Sequence, residues 1–196
     1  MLDLQRKRGS VDPLPGCLRP LRQRPGRDRG EGIGLRFYAV ALIVIVLDQI
    51  SKLLIQASIP LGHSIPLIPD LFAIVHVMNP GAAFGFLAAQ AAGVRNPFFI
   101  GISLLAIGFI LYYRHHRSDD HPLGSFGLSL ILGGAVGNLA DRLRIGMVVD
   151  FIDVHYYQYH WPAFNVADSA ITIGVSLMML TLILDERRER HRGPAS

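Results

Sequence analysis

Four stretches of the chain lack the polar and apolar alternation of an element lying on a water-exposed core. Residues 37–56 open with eleven uncharged positions, Phe37 to Leu47, before Asp48, Gln49 and Lys52 interrupt them. Residues 97–113 and 123–140 carry no charge, and residues 166–184 carry only Asp168, near their start. About 20 mostly apolar residues in helical form cross a hydrocarbon layer of roughly 30 Å, so each stretch predicts a transmembrane helix. Between the first two, residues 65–67 and 72–78 are rich in β-branched and aromatic side chains, punctuated by Pro60, Pro66, Pro69 and Pro80. That pattern predicts a small β-sheet lying on the membrane surface.

Composition agrees with a membrane chain. Of 196 residues, 51% are hydrophobic and 17% charged, against about 25% charged in ordinary soluble domains. One cysteine, Cys17, excludes an internal disulfide framework. It follows Leu14-Pro15-Gly16 in the outline of a lipid-attachment box, but no apolar signal stretch precedes it, and it is read as incidental. The net charge of +4 is concentrated at the front, where residues 1–36 hold nine Lys/Arg and four Asp/Glu among Pro and Gly. Residues 1–34 are therefore read as a disordered basic tail flanking the membrane rather than a nucleic-acid arm. Residues 35–185 form a four-helix membrane domain, and 186–196 a C-terminal tail.

The positive charges also orient the spans. The front segment, Arg114, Arg117 and the C-terminal arginines hold 15 of the 19 Lys/Arg, whereas the other two connections hold only Arg95, Arg142 and Arg144. Positive charge stays on the cytoplasmic side. Both termini are thus expected in the cytoplasm, with the sheet of the first loop on the outer face.

Polar residues within apolar stretches carry the chemistry. A charge at the centre of a membrane helix costs about 2.5–3.5 kcal/mol on insertion scales, so Asp48 and Lys52 need compensation. Their i, i+4 spacing lets them pair, and Lys52 can also reach outward to headgroups. The third span ends in Gly133-Gly134-Ala135-Val136-Gly137-Asn138-Leu139-Ala140-Asp141-Arg142. Gly133 and Gly137 permit close helix contact, while Asn138, Asp141 and Arg142 share one face. Asp150 and Asp168 flank the next connection, and the chain leaves and re-enters the membrane on one face, so the two acids can meet. Paired carboxyls at low dielectric cannot easily both ionise, which makes one a general acid and the other a general base. Asn165 lies one turn before Asp168, placed to cap the fourth helix or to hold a carboxylate or substrate carbonyl.

Other chemistries lack support in the sequence. No histidine has metal-ligand spacing on a span, and no Gly-rich phosphate loop follows a strand. His76, His155 and His160 are read as surface or interfacial side chains, and Tyr156, Tyr157, Tyr159 and Trp161 as an interfacial aromatic belt. Two rivals remain: a small transporter or proton channel built on intramembrane carboxylates, and a scaffold in which polar clusters only lock helices together.

Taken together, the chain resembles the bacterial lipoprotein signal peptidases. Five blocks carry the likeness: Asp48-Gln49-Ile50-Ser51-Lys52, Asn79-Pro80-Gly81-Ala82-Ala83-Phe84-Gly85, Gly133 to Arg142, Val148 to Asp153, and Phe164-Asn165-Val166-Ala167-Asp168-Ser169-Ala170-Ile171. The resemblance implies an intramembrane aspartic endopeptidase of the bacterial inner membrane, with Asp150 and Asp168 as catalytic dyad. It implies that Asn79 and Gly81 help form the substrate surface, that Asn138, Asp141, Arg142 and Asn165 surround the dyad, and that Asp48 and Lys52 support it. The implied substrate is a prolipoprotein bearing diacylglycerol on a cysteine, cut just before that cysteine, by a monomer among membrane lipids that uses no cofactor or metal. The long basic tail departs from the usual family pattern.

Overall fold

A computed structural model describes residues 28–81, 91–116 and 121–192. Four helices account for most of it: α1 Asp28–Ser58, α2 Ala92–His116, α3 Pro122–Ile145 and α4 Val166–Arg192. All four contain a stretch long and apolar enough to cross a membrane. α3 is mostly buried and packs against the other three, which turn most of their apolar surface outward. Outward apolar side chains have no aqueous rationale at this density, and hydrocarbon is the solvent that explains them.

The helix ends extend past the expected spans. α1 begins at Asp28, inside the segment 1–34 expected to be a disordered tail, and residues 1–27 with Cys17 lie outside the described residues. A helix already nucleated by the apolar span adds upstream residues cheaply. α4 runs to Arg192, well beyond Leu184, helped by the Glu186–Arg190 ion pair at i, i+4.

Glycines set how closely α3 is approached. A Cβ on Gly133 would lie 2.7 Å from the Ala41 carbonyl oxygen of α1, and one on Gly134 would collide with the Ala167 carbonyl of α4. At Gly137 the neighbour is the Asp48 carboxylate, 2.6 Å from where a Cβ would sit. The small-residue stripe thus serves backbone contact on two sides and admits a charged group at its third step.

The sheet gathers where α1 and α3 end and α4 begins. Its strands, β1 Ser64–Ile68, β2 Phe72–Asn79, β3 Val148–Tyr156 and β4 Tyr159–His160, pair antiparallel in sequence order. The expected sheet lay wholly in the first loop, but half of the observed strands come from the connection between α3 and α4. The β-branched run Val148, Val149, Ile152 and Val154 supplies β2 with the partner that a lone hairpin would lack. The turn into β3 passes through Gly146 at φ 73°, whose N–H caps α3 on the Arg142 carbonyl at 3.1 Å.

Gly134→Val should lower the melting temperature of the purified protein in detergent micelles, by an overpacking cost of about 1–3 kcal/mol. Gly101→Ala, at a position with open space around it, should leave it unchanged.

Candidate active site

The site begins with a buried ion cluster where α1 meets α3. Lys52 Nζ lies 2.8 Å from Asp48 Oδ2, 2.9 Å from Asp141 Oδ2 and 3.0 Å from Asn138 Oδ1, with all three charged side chains 0% exposed. Lys52 therefore does not reach outward to headgroups, as the sequence allowed; two carboxylates outbid the polar surface for its charge. Gln49, which sequence reasoning passed over, donates to Asp48 and to Asp141, each at 3.1 Å. Its only signal was membership in the Asp48–Lys52 block. A buried charge persists only when its remaining hydrogen-bonding capacity is met. The second oxygen of Asp48 meets that demand by accepting the Ala167 N–H at 2.9 Å, which places a carboxylate at the positive end of α4. Asp141 Oδ2 likewise accepts the Val149 N–H at 3.2 Å, fixing the start of β3.

Three asparagines then hold the two acids. Asn138 uses both ends of its amide, accepting from Lys52 and donating to Asp168 Oδ1 at 2.7 Å. Asn165 performs both roles left open by its position: its Oδ1 caps the Asp168 N–H at 2.9 Å, and its Nδ2 donates to Asp150 Oδ1 at 2.7 Å. Asn79 lies at the far end of β2, paired with Val148, so it is a diagonal neighbour of Asp150 on the same sheet face. Its Nδ2 donates to Asp150 Oδ2 at 2.8 Å, while its Oδ1 accepts the Gly81 N–H at 3.0 Å. Every residue expected at the site thus falls in one connected network.

Arg142 shares a helix face with Asn138 but serves the rim. Its guanidinium donates to the Gly81 carbonyl at 3.3 Å and to the Asn138 carbonyl at 3.4 Å, and sits 5.0 Å from the ring centre of Phe99 on α2. Phe99 was invisible in the sequence because nothing distinguishes it from other apolar residues of its span. The rest of that block, Ala82 to Gly85, lies outside the described residues.

A cleft of about 320 Å³ opens on this network, lined by Asp168, Asn79, Asn138 and Arg142 together with Trp161, Pro162 and Phe164. Asp150 is almost fully buried. Burial first, and the charge of Asp168 second, push its carboxyl up to about 7, against the pull of the Asn79 and Asn165 amides and of Lys52. Two nearby carboxyls, one holding a proton near neutrality, can activate a water and protonate a leaving group without any other reagent.

His76 corrects another expectation. It is buried, not a surface side chain, and its Nδ1 donates to the Ile59 carbonyl at 2.7 Å, tying β2 to the end of α1.

Residues 40–184 match the family described as signal peptidase (SPase) II. The chain belongs to this family. It is 48% identical over 153 residues to the lipoprotein signal peptidase of Geobacter metallireducens, covering 78% of this chain and 93% of that one. It is 46% identical over 171 residues to the lipoprotein signal peptidase of Cupriavidus pinatubonensis, covering 84% and 92%. A solved structure titled as a bacterial membrane enzyme superposes with a TM-score of 0.69 at 31% identity, covering 82% of this chain and 93% of that one. Signal peptidase II membership makes the chain a peptidase and leaves the transporter and scaffold readings without support.

Lys52→Met should leave Asp48 and Asp141 as uncompensated buried acids, at a cost of about 3–5 kcal/mol. A large drop in melting temperature in micelles, with precursor cleavage lost alongside it, is the expected result.

Proposed function

We propose that this signal peptidase II is an intramembrane aspartic endopeptidase that removes the signal peptide from prolipoproteins carrying diacylglycerol on a cysteine, cutting the bond before that cysteine. Asp168 lining the cleft with Asp150 buried close enough to feel its charge, each carboxylate held by an asparagine amide, is the observation that carries the reading. The nearest buried ammonium, Lys52, pairs with Asp48 and Asp141 rather than with either acid, and burial with the charge of Asp168 still outweighs its pull on Asp150.

In the proposed reaction, the ionised acid takes a proton from water as its oxygen attacks the scissile carbonyl, and the protonated acid donates to the carbonyl oxygen. Collapse of the tetrahedral intermediate breaks the C–N bond, and a carboxyl delivers a proton to the leaving amine of the lipidated cysteine. The raised pKa of Asp150 favours it as holder of the shared proton. Asn79, Gly81 and Arg142 shape the surface that receives the extended peptide, and Asn138, Asn165, Asp141, Asp48 and Lys52 keep the acids in place.

The arginine distribution supports cytoplasmic termini, with the sheet and cleft on the outer face of the inner membrane. There a lipid anchor in the outer leaflet would hold the scissile bond at the depth of the acids. Residues 35–185 act as the peptidase unit, and one copy contains every proposed site residue, which supports a monomer working in direct contact with lipid.

Cleavage of a diacylglyceryl-modified prolipoprotein in micelles tests the reading. Asp150→Asn and Asp168→Asn should each fold with native helicity and lose cleavage by at least about a thousandfold, and the unlipidated precursor should not be cut. Because Asp150 binds its proton up to about pH 7, kcat/KM should fall as pH rises above 7, where that proton is lost. Full activity in either variant would remove the dyad assignment.

A further inference from the structure

The β3–β4 hairpin carries a second constellation that the peptidase reaction does not use. Asp153 and His155 are two apart on β3 and so share a face of the strand, whereas Asp150 lies at odd spacing from both and faces the other way. His160 of β4 stands directly opposite His155 in the ladder. The hairpin therefore presents one carboxylate and two imidazoles together, with one donor atom from each residue falling within 4.8 Å of the other two.

Hydrogen bonding satisfies only one of the two histidines. His160 Nδ1 lies 3.0 Å from both oxygens of Asp153, and His155 Nδ1 lies 3.3 Å from Asp153 Oδ2. The two rings stack with centres 4.6 Å apart and planes 18° from parallel. An Asp–His hydrogen bond accounts for His160. It does not account for His155, whose Nδ1 is buried and outside hydrogen-bonding geometry with any partner. Tetrahedral donors at the usual bond lengths around zinc are separated by about 3.3–3.5 Å, close to the spacings of both Asp153 contacts.

We propose that Asp153, His155 and His160 form a binding site for one divalent transition-metal ion of the zinc class. Two imidazole nitrogens and one carboxylate oxygen select zinc-like ions over magnesium or calcium, which take all-oxygen sets. Three protein ligands leave a fourth position for water, and the half-exposed ring of His160 gives the ion a way in. The proposal revises the reading of His155 and His160 as surface or interfacial side chains rather than ligands, because the cross-strand pairing that sets them opposite each other is invisible in their sequence spacing.

The site's position gives it a consequence. β4 runs straight into Trp161, Pro162, Ala163 and Phe164, which form one wall of the cleft. An ion clamped across the hairpin anchors the strand that leads into those cleft residues, on the strand face opposite Asp150. Its role is structural or regulatory.

Titration of the tag-free full-length protein in detergent micelles with Co²⁺, followed by its visible absorption bands, tests this directly. Tetrahedral bands saturating at one equivalent, and displaced by Zn²⁺, are expected. Outer-sphere changes alone cost about 10–100-fold in metal affinity, so His160→Gln and Asp153→Asn should weaken binding by at least about tenfold. The exposed His160 makes the first variant safe for folding, checked by an unchanged melting temperature without metal. The double variant His115→Ala/His116→Ala, on α2, should titrate like the unaltered protein. No bands in the unaltered protein, or an unchanged titration in His160→Gln, would overturn the assignment.

Discussion

A lysine ammonium buried among transmembrane helices is tolerable only if its charge is matched and its protons are accepted, and that demand organises this protein. Asp48 alone could not meet it, because one carboxylate at i+4 spacing leaves donors unused. Asp141 and Asn138 complete the set from α3, which fixes the rotation and axial position of α1 against α3. Asp48 in turn accepts the Ala167 N–H at the head of α4, so a third helix is registered by the same cluster. Any slip by one residue would break all of these contacts together, at an energy comparable with the whole stability of a domain. Gly137 is the steric counterpart, since the carboxylate occupies the space where a side chain would be.

From that lock the geometry of the two acids follows. Asp168 sits in the first turn of α4, and Asp150 sits on β3, whose start is held by Asp141. Neither acid touches the lysine, so both remain available to each other, and their partners are neutral amides that orient a carboxylate without neutralising it. Burial and the neighbouring acid hold the Asp150 carboxyl raised, in a region where a second full charge would be costly. Asparagine suits this task better than lysine or arginine would, because its amide satisfies an ionised and a protonated carboxyl alike.

The sheet contributes position rather than mass. β2 delivers Asn79 and β3 delivers Asp150, on adjacent strands that come from different loops, and the short β4 leads into the segment 161–164, which lines the cleft together with Asp168. The hairpin that carries this segment also gathers Asp153, His155 and His160, so the cleft wall and the proposed ion site share one piece of backbone.

The four helices were legible in the sequence because hydrocarbon demands apolar residues along a whole span, a one-dimensional property that needs no knowledge of neighbours. Asp150, Asp168 and the asparagines around them were legible too, as polar residues at the ends of spans and as blocks resembling a known family. Tertiary structure decided what depends on contact between distant segments. It joined β3 to β2 and so split the sheet between two loops. It turned Lys52 inward to Asp141, brought Gln49 and Phe99 into the network, and buried His76. It also set His155 opposite His160. Sequence spacing reports which residues share a face of one element; only packing in three dimensions reports which faces meet.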